Sequence, residues 1–269
     1  MDRKKRTAPG IAAMKQSGRK VAVLTAYDAV TARLVDEAGV DAILVGDSAA
    51  MVLLGYESTL PVTLEEMLML TAAVARAEPS ALVVGDLPFM SYQASVADAV
   101  RSAGRMVKEA GAGAVKLEGG RKVAEKVRAI LEAGIPVMGH IGLTPQSINE
   151  FGGYRVQGKT SDARDRLIED ARALDEAGCF SIVLEAMPSA AGRAITEAVN
   201  VPTIGIGAGP FCDGQVLVVN DIIAYTDDGP KPRFARVYGD AKSVVREAAR
   251  RFVEDVRSGA YPSDGETYD

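Results

Sequence analysis

Eight short β-branched runs alternate with amphipathic helical patterns along this chain, and few folds accept that order. The runs are Val21–Thr25, Ala42–Gly46, Ala81–Asp86, Ala114–Glu118, Pro136–His140, Ser181–Glu185, Pro202–Gly207 and Val216–Val219. Helical periodicity falls between them at Ala29–Ala38, Leu64–Ala77, Val96–Ala110, Lys122–Ala133, Ser161–Ala177 and Ala190–Val199. Several of these patterns end in Ala-Gly followed by an apolar residue, as in Ala38-Gly39-Val40, Ala133-Gly134-Ile135 and Ala177-Gly178-Cys179. Glycine there is free to take the left-handed conformation that closes a helix C-terminus. Eight strands interleaved with helices in about 250 residues predict an α/β chain folded as a (β/α)₈ TIM barrel. A doubly wound sheet is the alternative. It usually has fewer strands and opens on a phosphate-binding turn, and neither GxGxxG nor a P-loop follows Val21–Thr25. The chain therefore reads as one barrel domain over 1–269, with basic Met1–Arg6 and polar Gly259–Asp269 as mobile tails.

Composition narrows the function classes. Net charge is −5, from 36 acidic and 31 basic side chains, so no basic surplus points to nucleic acid. Aromatic residues make up 5% of the chain, too few for base-stacking platforms. The Ala8–Lys20 stretch lacks the apolar core of a signal peptide. No run approaches the roughly 18 apolar residues of a spanning helix, so no membrane role is expected and the location reads as cytoplasmic. Cys179 and Cys212 stand 33 positions apart with no CxxC, which implies no disulfide framework and fits small buried side chains. With His140 as the single histidine, a zinc site built from several His or Cys ligands is not expected. A metal here would be held by carboxylate oxygens, which suits Mg²⁺ or Mn²⁺.

The placement of polar residues carries the functional argument. Strands of a closed parallel barrel are buried and read apolar, so ionisable groups belong where strands emerge at the C-terminal face. Here five consecutive strands end that way. The second runs into Asp47-Ser48 and the third into Asp86; the fourth carries Lys116 and Glu118, the fifth His140 and the sixth Glu185. Each has a plainer reading alone. Asp47 or Asp86 could cap a helix or close a turn, and Lys116 could pair with Glu118, whose face it shares. His140 could be a hydrogen-bonded core histidine, and Glu185 could pair with an arginine. Convergence decides against five separate coincidences, because a ring of buried like charges is costly unless a cation or substrate compensates it. The glycine-rich segment Gly205-Ile206-Gly207-Ala208-Gly209-Pro210 allows two readings, a phosphate site at a late barrel loop or a close backbone approach.

Longer segments carry a family resemblance. They are Leu24-Thr25-Ala26-Tyr27-Asp28, Val45-Gly46-Asp47-Ser48, Leu54-Gly55-Tyr56-Glu57-Ser58-Thr59-Leu60-Pro61-Val62-Thr63 and Asp86-Leu87-Pro88-Phe89-Met90-Ser91-Tyr92. Further on come Val115-Lys116-Leu117-Glu118-Gly119-Gly120, Met138-Gly139-His140-Ile141-Gly142-Leu143-Thr144-Pro145-Gln146-Ser147, Val183-Leu184-Glu185 and Ile204-Gly205-Ile206-Gly207-Ala208-Gly209, with Cys212-Asp213-Gly214-Gln215-Val216-Leu217 behind. In this order, over roughly residues 10–260, the chain resembles the ketopantoate hydroxymethyltransferase family. The resemblance implies a barrel related to phosphoenolpyruvate mutase and isocitrate lyase. It also implies transfer of a one-carbon unit from 5,10-methylenetetrahydrofolate to 3-methyl-2-oxobutanoate in pantothenate biosynthesis, and a large homo-oligomer, often a decamer.

Carried over position by position, it implies that Asp47 and Asp86 ligate Mg²⁺ and border the oxo acid, with Glu118 linked to the metal directly or through water. Ser48 and Lys116 would contact the oxo acid, His140 would lie beside it, and Glu185 would accept the proton. Two positions depart from the pattern: Leu70 and Asn220 stand where the family often has histidine. Two other classes compete. A carbon–carbon lyase or mutase of the same superfamily tends to carry a reactive cysteine in a KKCGH-type loop, which is missing here. A non-catalytic metabolite-binding barrel would have no use for the full set of acids with Lys116 and Glu185.

Overall fold

The computed structural model describes residues 4–226, 229 and 232–268. It divides into two compact units, 1–218 and 219–269. The first holds eight parallel strands closed into a barrel in sequential order. These are β1 (Val21–Thr25), β2 (Ala42–Val45), β3 (Leu82–Asp86), β4 (Ala114–Glu118), β5 (Val137–Gly142), β6 (Ser181–Glu185), β7 (Thr203–Ile206) and β8 (Gly214–Leu217). The predicted barrel is the observed one. Closure comes from β1 pairing β8 with Val23 opposite Val216, while Val23 also pairs Ala42 of β2. The expected helices form as Ala29–Glu37, Leu64–Ala75, Val96–Lys108, Ala124–Glu132, Ser161–Ala177 and Ser189–Ala198. Gly39, Gly134 and Gly178 take positive φ at three of their ends, as the Ala-Gly pattern predicts.

Side chains alternate along a strand, so every second residue faces the barrel axis. Val21, Val23, Ala42, Leu44, Leu82 and Val84 fill the lower interior, with Ala114, Met138, Val183, Ile204 and Val216 opposite. A helix not anticipated from the sequence, Ala8–Gln16, closes that end by adding Ala8, Ile11 and Met14 to the same core. Its N-terminus is set by Thr7, whose Oγ1 accepts from Gly10 N–H, and by Pro9 in the first turn. The lower end is thus plugged by apolar packing, and polar groups on the same inward faces collect at the other end.

Of the expected tails, residues 1–3 and 269 lie outside the described residues. Arg6 donates its backbone N–H to Ser80 O and pairs with Asp41 at 3.3 Å. Gly259 caps the helix Ala241–Ser258, and a short capped turn follows at Asp264–Glu266. No helix among the described residues is long and apolar enough to cross a membrane.

Candidate active site

Parity and register bring the predicted residues together. Lys116 and Glu118 of β4 lie in phase with buried Ala114, and His140 of β5 lies in phase with Met138. Asp86 pairs with Lys116, and Glu118 pairs with His140. Glu185 pairs with Gly142, two positions beyond His140, and so stands nearer the mouth. Asp47 follows β2 and donates its backbone N–H to Asp86 Oδ2 at 3.1 Å. Ser48 is half-buried beside it, its hydroxyl 2.9 Å from Tyr27 Oη.

Lys116 Nζ donates to both oxygens of Asp86, at 2.8 and 2.7 Å, and lies 3.8 Å from Glu118 Oε1. Burial disfavours its ammonium form, but Asp86, Glu118 and Asp47 outweigh that and hold the Lys116 pKa above the ordinary lysine value. Burial, together with the charges of Asp86 and Glu118, pushes the Asp47 carboxyl well above the usual range. Glu118 goes the other way. Burial opposes its ionisation, yet His140, Lys116 and the Gln146 N–H hold it below the usual value. His140 lies between two acids, with Nδ1 3.4 Å from Glu118 Oε1 and Nε2 3.2 Å from Glu185 Oε2. Neither contact is aligned as a hydrogen bond, so both ring nitrogens and Glu118 Oε1 are buried without a hydrogen-bond partner. Burial and Lys116 work against protonation of His140, and the two glutamates overcome them to push its pKa up to about 9.

Backbone strain marks the same place. Ala186, directly after Glu185, has φ +46°, a conformation costing about 1–2 kcal/mol for a residue with a Cβ. It is held by Ala186 N–H to Ile206 O at 2.9 Å and by Gln157 N–H to Ala186 O at 2.8 Å. Gly142 has φ +96°, and a Cβ there would lie 2.3 Å from Glu185 O, so only glycine lets β5 pass this close to the Glu185 backbone.

Three further side chains join the site, and sequence reasoning did not assign them. Tyr92 and Gln146 are buried and link Asp47, Leu87 and Glu118. Tyr154, in the segment after β5, donates Oη to Met51 Sδ at 3.4 Å. Burial and the charges of Glu185, Asp47 and Glu118 raise its phenol pKa. Gln146 and Tyr92 lie inside the segments quoted for the family resemblance, but neither carries a charge that would single it out. Tyr154 has no such signal. Cys179 and Cys212 are free and buried, and burial pushes the Cys179 thiol up to about 12.

The glycine-rich exit of β7 has a packing explanation. Gly209 takes φ +85°, and a Cβ there would lie 2.5 Å from Ser189 Oγ, so this segment presses against the helix Ser189–Ala198. Of the two departures, Leu70 is buried, and Asn220 is buried with Nδ2 donating to Tyr225 O at 3.2 Å.

The donor set fits a hard divalent cation. Among the described residues no three His, Cys, Asp or Glu side chains form a ready-made metal cluster. Mg²⁺ does not require one, since it keeps several waters and takes one or two carboxylates together with substrate oxygens. Asp47 and Asp86 supply such a pair, and Glu118 Oε1 is a buried acceptor with no hydrogen bond. Asp86 still has lone pairs beyond those used by Lys116 and Asp47 N–H, since a carboxylate offers about four sites.

The comparisons agree with this architecture. A family model described as ketopantoate hydroxymethyltransferase matches residues 5–264. A 3-methyl-2-oxobutanoate hydroxymethyltransferase from Trichlorobacter lovleyi is 54% identical over 266 residues, covering 99% of each chain. One from Geobacter metallireducens is 51% identical over 268 residues and covers 100% of both. Among solved structures, phosphonopyruvate hydrolase in complex with oxalate and Mg²⁺ superposes with a TM-score of 0.63 at 15% identity, over 97% of this chain and 93% of that one. A 2,3-dimethylmalate lyase, a member of the phosphoenolpyruvate mutase/isocitrate lyase superfamily, gives 0.61 at 16%, over 97% and 91%. At such identities these two speak for the fold alone. The sequence matches span nearly the whole chain, and on them the chain belongs to the ketopantoate hydroxymethyltransferase family.

Proposed function

We propose that the chain transfers a one-carbon unit from 5,10-methylenetetrahydrofolate to C3 of 3-methyl-2-oxobutanoate, giving 2-dehydropantoate in pantothenate biosynthesis. One observation carries the chemistry. Glu185 is 16% exposed at the mouth, while Asp86, Lys116, Glu118 and His140 are buried deeper along the same inward faces. A base must reach a carbon acid, whereas groups that stabilise developing charge act most strongly away from water.

Lys116 and His140 would donate to the oxygens of the oxo acid, and the Ser48 hydroxyl is within the same rim to contact it. Asp47 and Asp86 would hold Mg²⁺, with Glu118 beside them. Bound there, the cation supplies Lewis-acid stabilisation for charge developing on the 2-oxo oxygen. Glu185 takes the C3 proton, and the C–H electron pair moves into the C2–C3 enolate. C3 then bonds to the folate-borne methylene carbon as one of that carbon's two carbon–nitrogen bonds breaks, and the proton taken by Glu185 passes to the nitrogen released. Water finally breaks the remaining carbon–nitrogen bond to the folate, its oxygen becoming the new hydroxyl and one of its protons going to the second nitrogen as tetrahydrofolate leaves. Cys179 and Cys212 take no part, and the lyase reading has no thiol at the rim to favour it.

The metal assignment has its own test. Asp47→Ala and Asp86→Ala should each weaken Mg²⁺ binding in calorimetry by more than the ~10–100-fold that losing an outer hydrogen-bond partner costs. Unchanged affinity in both variants removes these two residues as ligands.

The same reading covers the rest of the molecule. The barrel is the catalytic domain of a cytoplasmic homo-oligomer. The helix Ala241–Ser258 supports assembly. Val244, Val245, Phe252, Val253 and Val256 form an apolar stripe at helical spacing, and none of them is buried within the single chain. A decamer is the assembly that the family resemblance implies.

A further inference from the structure

Gln146 belongs to the short helical turn Pro145–Ser147 that follows β5, and it is buried. Its side-chain amide is fully used. Nε2 donates to Asp47 Oδ2 at 3.0 Å and to Leu87 O at 2.9 Å. Oε1 accepts from Tyr92 Oη at 2.8 Å and from Gln93 Nε2 at 2.9 Å. A carbonyl can only accept, so Leu87 O fixes which end of the amide faces Asp47. The backbone N–H of the same residue donates to Glu118 Oε2 at 3.0 Å. One residue therefore engages one oxygen from each of two carboxylates that arrive on different strands. What it leaves is specific. Glu118 Oε1 has no hydrogen bond, and among the described residues the one hydrogen bond to the Asp47 carboxylate comes from Gln146.

We infer that Gln146 is a positioning residue for the metal site, fixing Asp47 and Glu118 so that one oxygen of each stays available to a divalent cation. The inference rests on the reading of Asp47 and Asp86 as metal ligands. Outer hydrogen-bond partners of this kind set the orientation of ligating carboxylates, and their loss lowers metal affinity by about 10–100-fold. Charge is not the cause here, because the amide is neutral. The effect comes through geometry, so a side chain of similar length without hydrogen-bonding groups is the informative replacement.

The test measures Mn²⁺ binding to the full chain from the free-ion signal in electron paramagnetic resonance, alongside the urea unfolding midpoint. Gln146→Met is expected to weaken Mn²⁺ binding by about 10–100-fold. Gln146→Asn, which keeps the amide but draws it back by one methylene, should weaken it in the same direction and serves if the Met variant does not fold. Asp47→Ala is the reference for a lost ligand. Wild-type Mn²⁺ affinity in a folded Gln146 variant, with Asp47→Ala impaired, overturns the inference and leaves the ligand assignment standing. A lower unfolding midpoint with unchanged Mn²⁺ affinity also overturns it, because Gln146 would then serve only the fold. Absence of Mn²⁺ binding to the unsubstituted protein, or full binding by Asp47→Ala, overturns both readings together.

Discussion

Replacing Glu185 by Gln lowers the rate at which the C3 hydrogen of 3-methyl-2-oxobutanoate exchanges with solvent deuterium by about 10²–10⁴-fold. The size of the loss follows from what the amide retains. Gln has the shape of Glu, so the strained Ala186 turn and the close passage of Gly142 are undisturbed. Lys116 stays paired with Asp86, and binding of the oxo acid should persist in the variant. Only the basic lone pair at the mouth is lost. Exchange followed by proton NMR isolates this step, because it requires no folate. A Glu185→Gln enzyme that exchanged at the unsubstituted rate while binding the oxo acid normally would place the base on another residue.

The second large effect concerns stability. Lys116→Met removes the one lysine that balances Asp86, Glu118 and Asp47 in the buried end of the barrel. Lys116 and Asp86 have side chains 4% and 1% exposed, so solvent cannot take over the role of the missing partner. Breaking one half of such a buried pair costs about 3–5 kcal/mol. The urea unfolding free energy should fall by about that amount, with the slope unchanged. Lys116→Met combined with Asp86→Asn should recover part of the loss, since the second change removes the charge that the first left unpaired. A single variant within 1 kcal/mol of the unsubstituted protein, roughly the value of an exposed ion pair, would show that the pair is hydrated rather than buried.

What the sequence made legible follows from period and charge. The interior positions of β4 and β6 were readable because their ionisable residues share the parity of apolar neighbours, as in Ala114-Val115-Lys116-Leu117-Glu118. Asp47 and Asp86 stood out as acids at the ends of wholly apolar runs. Residues that act through neutral groups left no such mark. Gln146 and Tyr92 are uncharged and follow turns, and only their contacts reveal what they hold. The helix Ala8–Gln16 leaves little trace in the sequence because it offers three buried apolar positions in nine residues, too few for a clear amphipathic face. Strand β8 starts at Gly214 rather than Val216, and ends at Leu217 rather than Val219. A Cβ at Gly214 would lie 2.4 Å from Val21 O, so the residue that lets the barrel close is one that carries no strand propensity.

On the proposed function, the carboxylates, Lys116, His140 and Glu185 at one rim make a carbon–carbon bond at a small oxo acid with the help of Mg²⁺. Incubating the purified protein with 3-methyl-2-oxobutanoate and 5,10-methylenetetrahydrofolate, and following 2-dehydropantoate by mass spectrometry, tests it most directly. Product should accumulate with Mg²⁺ present, cease when EDTA is added, and resume when Mg²⁺ is restored. Absence of 2-dehydropantoate with both substrates and Mg²⁺ present, from protein that is folded and binds the oxo acid, would contradict the account.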